Sequence, residues 1–217
     1  NATNQFEKLG YVGNNLANMN TRGYKSVNFE QMLKEDGYIT GAVRSDYKQG
    51  SIQITSNPYD VAISGVGFIP VVSPEGEVAY TRDGSFKQGK DGYLVTNDDW
   101  IVGEGIKIPT NCYKFEIKPN GEVFSYDAAD TEPKKLGTIP LVRFASQENL
   151  EQAGMNKLVP TEDSGEPELV KDHECFCQNN LENSNTNIYS SVSDMLRLNA
   201  SMLASMRMMK VVDDMYN

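Results

Sequence analysis

The sequence predicts a mainly β protein with an α-helix at each end. The central part is expected to be an antiparallel β sandwich or barrel-like body, and the terminal helices are expected to pair as an antiparallel coiled coil. Three observations support this fold class. Residues 186–217 contain no glycine or proline and repeat apolar residues at heptad spacing. Residues 1–19 repeat apolar residues at helical spacing. The residues between them form short alternating segments separated by turn residues.

The N-terminal segment, residues 1–24, is predicted to be a helix followed by a turn. Its apolar residues return about every three or four positions, at Ala2, Phe6, Leu9, Leu16 and Met19. Asn18, Asn20 and Gly23 favour the end of a helix and a reversal of the chain. Residues 25–48 are then predicted to link this segment to the β body.

The central segment, residues 49–180, is predicted to be a β-rich domain. Turn residues recur about every eight positions, at Pro74-Glu75-Gly76, Asp83-Gly84 and Asp91-Gly92. Asn120-Gly121 separates two alternating segments and predicts a hairpin with a two-residue turn. Short strands at this spacing are typical of an antiparallel sandwich or barrel.

Residues 181–217 are predicted to hold the C-terminal coiled-coil helix, which pairs with residues 1–24. Its heptad seam comprises Ile188, Val192, Met195, Asn199, Met202, Met206 and Met209, with Asn199 as a polar position that can control register. Methionine is flexible and polarizable, so these side chains suit several inequivalent neighbours. A helix of this length would extend about 48 Å at 1.5 Å per residue, and much of its seam is expected to face other subunits. The alternative is a seam that packs inside its own domain.

Composition bears on several classes of partner. A net charge of −10 opposes nonspecific binding of nucleic acid. The longest apolar runs are too short to cross a bilayer, so membrane insertion is not expected. The first residues do not resemble a secretory signal. Because the sequence begins without methionine inside a predicted helix, further residues are expected upstream.

Catalytic, cofactor and metal sites are not expected. The chain has one histidine and no G-x-S-x-G or H-E-x-x-H motif. A glycan hydrolase needs two carboxylates that flank the scissile bond. Acidic residues are plentiful in the predicted turns, for example Asp98, Asp99 and Glu104. His173, Cys175 and Cys177 would share one face of a strand, but their spacing differs from that of zinc sites. An odd number of cysteines argues against a disulfide framework.

Motifs in both terminal segments resemble signatures of bacterial flagellar rod and hook proteins. The N-terminal pattern in that family is approximately A-N-N-L-A-N-x-x-T-x-G-F/Y-K, with Gly13 here in place of the first alanine. The matching residues are Asn14, Asn15, Leu16, Ala17, Asn18, Thr21, Gly23, Tyr24 and Lys25. Before the C-terminal helix, Leu181-Glu182-Asn183-Ser184-Asn185 is similar to the family's L-E-x-S-N motif.

Two further motifs of the family lie in the central segment. Tyr59-Asp60-Val61-Ala62-Ile63, followed by Gly65, Gly67 and Phe68, is similar to L-D-x-A-I-x-G-x-G-F-F. Residues 80–86, Y-T-R-D-G-S-F, match the family's Y-T-R-D-G-x-F segment. Within this segment, Arg82 is placed to pair with a nearby carboxylate.

The resemblance implies a structural subunit of the flagellar basal-body rod. Such a subunit is exported through the flagellar export apparatus without a cleaved signal, and the rod spans the cell envelope. Its terminal helices, with those of other rod and hook proteins, form a tube that transmits torque and passes later subunits. The signature residues and the heptad seam are then assembly residues.

The short segment between Lys25 and Gln49 favours a proximal-rod subunit. A distal-rod subunit or a hook-like protein is the first alternative. A secreted β-domain adhesin and a cell-wall glycan hydrolase are more distant alternatives, and the adhesin leaves both terminal helices unexplained.

Overall fold

The computed structural model describes residues 2–33, 39–128 and 132–216. Asn1 and Asn217, at the outer ends of the predicted helices, lie outside this part. The long helices are α1 (Ala2–Ala17) and α2 (Ile188–Tyr216), and a short 3-10 helix comprises Gln147–Asn149. In chain order the strands are β1 (Val27–Leu33), β2 (Ile39–Ser45), β3 (Ile52–Ile54), β4 (Val61–Ile63), β5 (Ile69–Val72), β6 (Val78–Thr81), β7 (Lys87–Gln88), β8 (Leu94–Val95), β9 (Ile101–Val102), β10 (Cys112–Ile117), β11 (Glu122–Asp127), β12 (Lys134–Thr138), β13 (Val142–Arg143), β14 (Glu151–Gln152), β15 (Lys157–Val159), β16 (Glu168–Leu169), β17 (Phe176–Gln178) and β18 (Asn180–Glu182). The predicted mainly β fold with a helix at each end is confirmed.

The chain divides into two compact units. The helical unit comprises Asn1–Asn20, Lys25–Lys48 and Asn185–Asn217. The β unit comprises Thr21–Tyr24 and Gln49–Ser184. The four residues from Thr21 to Tyr24 therefore belong to the β unit, although both of their neighbouring segments belong to the helical unit.

In the helical unit, α1 packs against α2 and against β1. Strands β1 and β2 form an antiparallel hairpin in register from Val27 opposite Ser45 to Leu33 opposite Ile39. The segment that was predicted as a linker, residues 25–48, thus contains regular structure. One reason is the aromatic ring of Phe29 in β1, which stacks on Tyr11 of α1 with ring centroids 6.1 Å apart.

Asn187 caps the first turn of α2. Its Oδ1 accepts the backbone N–H groups of Tyr189 and Ser190 at 3.0 and 3.2 Å. These donors have no partner inside the helix, so the asparagine side chain satisfies groups that the helix itself leaves open. The helix then continues for 29 residues because no glycine or proline interrupts it.

The β unit is built around one seven-stranded sheet, in which the strand order is β14-β15-β6-β5-β9-β8-β7. A three-stranded sheet, β10-β11-β12, and the pairs β13-β16, β17-β4 and β18-β3 complete the unit. All strand pairs of the described residues are antiparallel. The sheets are open, so the body that was predicted as a sandwich or barrel-like does not close into a barrel. Strands of two to four residues in the large sheet make ladders too short to continue around a barrel.

One apolar core fills the β unit. Its buried members are Val61, Ile63, Ile69, Phe86, Leu94, Val102, Ile106, Ile108, Phe115, Ile117, Val123, Ile139, Leu141 and Phe176. They come from both the seven-stranded and the three-stranded sheet, so the core joins the two layers. Burial of these side chains is the main nonspecific source of stability for the unit.

The β10–β11 hairpin has a loop one residue longer than predicted. Ile117 lies opposite Val123, and the Lys118 N–H donates to the Glu122 carbonyl at 2.8 Å. Residues 119–121 therefore form a three-residue loop. Gly121 has a φ of +85° and acts as the left-handed residue that such loops require. Its backbone also approaches the Ile139 carbonyl, and a Cβ there would lie 2.4 Å from that oxygen.

A buried ion pair lies at the centre of the β unit. The Arg82 guanidinium contacts the Glu182 carboxylate at 2.7 Å, and the two side chains are 4% and 0% exposed. The remaining guanidinium N–H groups donate to the carbonyls of Gly67, Gly65 and Ile63 at 2.7, 2.9 and 3.3 Å. The predicted pairing of Arg82 with a carboxylate is thus present, and the partner is Glu182. A charge removed from water in this way needs a complete set of partners.

The Glu182 side chain also binds a second segment of the unit. Its Oε2 accepts from Arg82 Nε at 2.8 Å, while its Oε1 accepts the Gly50 N–H at 2.9 Å. Both oxygens therefore face donors. One carboxylate joins the residues before β3, the end of β6 and strand β18.

We expect Glu182→Gln to destabilise the β unit by about 3–5 kcal/mol, because the Arg82 charge would remain buried without a carboxylate. The amide would also turn its NH2 group toward one of the two donors. Urea unfolding followed by fluorescence of Trp100, the single tryptophan, measures this loss.

The matched control is Asp99→Asn, which removes the exposed ion pair between Lys87 and Asp99. Exposed pairs contribute little, so this change should cost under about 1 kcal/mol. Equal effects of the two substitutions would contradict a special role for the buried pair.

Candidate functional site

The signature residues after α1 form a tight turn inside the β unit. Gly23 has a φ of +66°, in the left-handed region. Its N–H donates to the Glu182 carbonyl at 2.8 Å. A Cβ at this position would lie 2.8 Å from the carbonyl carbon of Arg82 and from the backbone nitrogen of Asp83. Glycine is therefore needed here both for the backbone angle and for the space.

Neighbouring side chains hold the same turn in place. Arg22 donates to the side-chain oxygens of Asn183 and Gln53, the second at 3.0 Å. Its own carbonyl accepts from Asn156 Nδ2 at 2.8 Å. Tyr24 is buried, and burial raises the pKa of its phenol above the ordinary value.

In the helical unit, Asn15 binds the backbone of β1 through both ends of its amide. Its Nδ2 donates to the Val27 carbonyl at 2.7 Å, and its Oδ1 accepts the Val27 N–H at 2.8 Å. The side chain is buried, and it supplies the donor and the acceptor that a neighbouring strand would otherwise supply. This contact joins the last turn of α1 to the first residue of β1.

Asn185 makes an equivalent contact at the same open end of the hairpin, next to the pair of Val27 and Ser45. Its Oδ1 accepts the Ser26 N–H at 2.7 Å, and its Nδ2 donates to the carbonyls of Asp46 and Lys48 at 2.6 and 3.0 Å. Lys25, another signature residue, donates from Nζ to the same Lys48 carbonyl at 2.8 Å. The segment that leads into α2 is thus bound to the residue before β1 and to the residues after β2, at the open end of the hairpin.

The other signature residues lie at the end of α1 or in the turn. The Asn18 amide donates to the carbonyl and to the side-chain oxygen of Asn14 at 2.9 and 3.0 Å, which closes the last turn of the helix. Leu16 and Thr21 are half-buried, and Ala17 is exposed. The structure therefore brings Asn15 and Lys25 together with Asn185, and it places Thr21, Gly23 and Tyr24 in the β unit.

Helices α1 and α2 run antiparallel in the helical unit. Near the start of α1, Gln5 Nε2 donates to Ser201 Oγ at 2.8 Å. A polar cleft of about 260 Å³ brings Tyr11 and Asn15 beside Ser190 and Asp194 in the first turns of α2. The less exposed positions of α2 are Ser191, Asp194, Met195, Leu198, Met202 and Ser205. These positions identify the side of α2 nearest α1.

The predicted heptad seam divides between two environments. Met195 and Met202 are half-buried, and Asn199 is exposed. The remaining seam positions are exposed apolar side chains, namely Ile188, Val192, Met206 and Met209. Outside the seam, the exposed apolar residues of α2 are Tyr189, Leu196, Leu203, Met208, Val211, Val212 and Met215. These side chains lie on several sides of α2, and Met209 continues the spacing of the side nearest α1. We call the exposed apolar residues of α2 together the outer face.

The surroundings of Cys175 do not favour a reactive thiolate. Cys175 Sγ lies 3.7 Å from Nδ1 of His173, the single histidine of the sequence. Burial raises the pKa of the Cys175 thiol and lowers the pKa of His173, so both groups are neutral near pH 7. Among the described residues, no group of three or more histidine, cysteine, aspartate or glutamate side chains is arranged to hold a metal ion.

Within the same residues, no helix has the length and apolar character needed to span a membrane.

Sequence reasoning missed the partners of these side chains. Glu182 and Asn185 belong to the L-E-x-S-N motif, which was noted only for its resemblance. The motif contained the signal: a glutamate and an asparagine that precede a helix by a few residues need partners when they are buried. Those partners lie 100 or more residues earlier in the chain, so local patterns do not identify them.

Comparison with known proteins gives consistent matches. Residues 62–125 match a family model described as flagellar hook protein FlgE/F/G D1 domain. The chain is 30% identical to flagellar basal-body rod protein FlgG of Caulobacter vibrioides, over 94% of this chain and 89% of that protein. It is also 30% identical to FlgG of Buchnera aphidicola subsp. Schizaphis graminum, over 87% and 84%. Flagellar basal-body rod protein FlgF of Mesorhizobium japonicum is 29% identical, over 88% and 80%.

We expect Gly23→Ala to destabilise the β unit more than Gly76→Ala does. Both glycines have positive φ, so each alanine incurs about 1–2 kcal/mol of backbone strain. Only the Cβ at position 23 meets neighbouring backbone atoms, whereas nothing lies within 4 Å of one at position 76. Thermal unfolding of the two purified variants measures the difference. Equal melting temperatures would show that the turn has room to move.

Proposed function

Because the chain belongs to the family of flagellar basal-body rod proteins, we propose that it assembles through its terminal helices into the helical tube of the rod. It is a structural subunit of the rod and is located in the flagellar basal body. The observation that best supports this proposal is the similarity to relatives that are named as rod proteins. For one of these relatives the similarity extends over 94% of this chain. The tube transmits torque and passes exported subunits.

The outer face of α2 is the surface proposed to contact other subunits. Met206 and Met209 are 51% and 55% exposed, and Met215 is 80% exposed. An apolar face of this kind is costly in water and is stabilised when a neighbour covers it. Methionine side chains adapt to different neighbouring surfaces, as a subunit with several inequivalent neighbours requires. Heptad pairing of α1 with α2 is part of this proposal, supported by their antiparallel packing.

The signature residues have a positioning role in this proposal. Asn15, Lys25 and Asn185 bind backbone groups of the β1–β2 hairpin. Gly23 binds Glu182 in the β unit. These contacts hold the segments beside both helices in one conformation, so that each subunit presents the same surface to the next. Repeated identical contacts are what a helical assembly needs.

We place the subunit in the proximal rod. Only 23 residues lie between Lys25 and Gln49, and the β1–β2 hairpin occupies most of them. The resemblance leads us to expect a longer insertion at this point in distal-rod and hook proteins. Export through the flagellar apparatus, without a cleaved signal, belongs to the same proposal.

A chromosomal deletion tests the rod function. We expect nonmotile cells whose isolated basal bodies stop short of the hook in electron micrographs, because a missing rod subunit leaves no surface for later subunits. A basal body that stops early in the rod supports the proximal position, and one that stops late supports the distal position. Complementation with the intact gene is the control. Swimming cells with complete hooks would contradict the proposal.

Substitution of the outer face tests the assembly surface. We expect Met206→Asp with Met209→Asp to leave the monomer folded and to block its incorporation, because carboxylates would have to be buried against a neighbour. The matched control is Met206→Leu with Met209→Leu, which preserves volume and apolar character. Immunoblots of isolated basal bodies measure incorporation, and Trp100 fluorescence during unfolding checks the β unit. Normal incorporation of the aspartate variant would contradict a subunit contact at this face.

A further inference from the structure

Four lysines converge on one cleft at the edge of the β unit. The cleft has a volume of about 890 Å³, and its charged lining residues are Lys90, Lys107, Lys134, Lys135 and Asp91. The four lysines are exposed, and Lys135 also pairs with Glu122 at 2.6 Å. We call this the basic cleft. A concentration of positive charge is unexpected in a chain with a net charge of −10.

The most acidic exposed segment lies in the same unit, between residues 148 and 168. It carries six carboxylates and one lysine, and the six are Glu148, Glu151, Glu162, Asp163, Glu166 and Glu168. All six are exposed. The one lysine, Lys157, is buried and pairs with Asp98. We call this segment the acidic edge.

Hydrogen bonds hold the acidic edge in a defined shape. The Ser164 hydroxyl is buried, accepts the Thr161 N–H and donates to the Thr161 carbonyl, both at 2.9 Å. Thr161 Oγ1 donates to the Asn149 carbonyl at 2.7 Å, and Asn149 Nδ2 donates to the Asp163 carbonyl at 3.2 Å. The carboxylates are thus displayed on an ordered loop, which lowers the entropy cost of binding.

The basic cleft and the acidic edge lie at opposite edges of the seven-stranded sheet. The cleft is lined by Gln88 of β7 and by the first residues of β12, and the acidic edge contains β14 and continues from the end of β15. Six strand spacings of about 4.8 Å separate the two edge strands by about 29 Å. The acidic edge of one chain is therefore too far from its own basic cleft to bind it.

We propose that the basic cleft binds the acidic edge of a second copy of this chain. The carboxylates of one β unit then pair with the lysines of the next, and each copy offers one surface of each kind. Two different complementary surfaces make a heterologous contact, which propagates a helix where its rotation does not close a ring. This inference deepens the proposed rod function and rests on it. It adds a contact between β units to the contacts of the terminal helices.

Charge-reversal substitutions in the basic cleft and in the acidic edge test the proposal in cells. Lys107→Glu with Lys134→Glu reverses the cleft, and Glu162→Lys with Glu166→Lys reverses the edge. We expect each double variant to enter basal bodies about tenfold less than the unchanged protein, since close charge pairs across an interface are strongly coupled. The quadruple variant should recover incorporation, because reversed charges attract again. Immunoblots of isolated basal bodies and swimming speed are the measurements.

Lys118→Glu with Lys171→Glu is the matched control, because both lysines are exposed and neither lines the cleft. It should incorporate normally. Double variants that incorporate normally, or a quadruple variant no better than the doubles, would overturn the inference. Loss with the cleft variant alone would also overturn it, since the occupant would then be another anion, such as a glycan. Absence of the unchanged protein from basal bodies would instead overturn the rod function.

A second measurement covers variants that fail to fold. A zero-length amine–carboxylate cross-linker applied to basal bodies of the unchanged protein should join Lys107 or Lys134 to Glu162 or Glu166 of another copy. Mass spectrometry of the peptides identifies the linked residues. Abundant cross-links elsewhere in the chain, with none between cleft and edge, would overturn the inference.

Discussion

The buried pair of Arg82 and Glu182 is the constraint on which the β unit depends. Each side chain is almost fully removed from water, so neither charge is tolerated without the other. Between them they bind three carbonyls from residues 63–67 and the Gly50 N–H. Apolar burial stabilises the unit but has no direction, whereas these bonds have defined lengths and angles. They therefore select one arrangement of short strands that apolar packing alone would leave open.

The helical unit uses neutral amides for the same purpose. Asn15 and Asn185 each bind backbone groups on both the donor and the acceptor side. A planar amide matches the spacing of a peptide group, so it can take the place of a strand where the sheet ends. Leaving such a buried backbone group unpaired would cost about 1–3 kcal/mol. Each unit is thus ordered by polar contacts of its own buried side chains.

Local patterns in the sequence predicted the elements better than their arrangement. Spacing of apolar residues and the absence of breakers predicted both helices, and turn residues predicted short strands between them. The hairpin of Val27–Leu33 and Ile39–Ser45 was predicted as a linker, although the sequence between these strands contains Asp36-Gly37, a dipeptide typical of hairpin turns. The open sheets, the identity of Glu182 as a partner and the basic cleft all depend on residues far apart in the chain. No local periodicity encodes those contacts. The loop at Gly121 is one residue longer than predicted because the last backbone pair before it joins Lys118 to Glu122.

The sequence separation of the ion pair also determines when folding can finish. Arg82 and Glu182 are 100 residues apart, and Glu182 is the later of the two in the chain. A chain is synthesised from its N-terminus, so Arg82 leaves the ribosome long before Glu182, which supplies its carboxylate partner, has been made. Until then, closing the core would bury an uncompensated charge, which is strongly unfavourable. The native core of the β unit is therefore expected to close only after Glu182 has been synthesised, which makes its folding depend on a contact of long sequence separation.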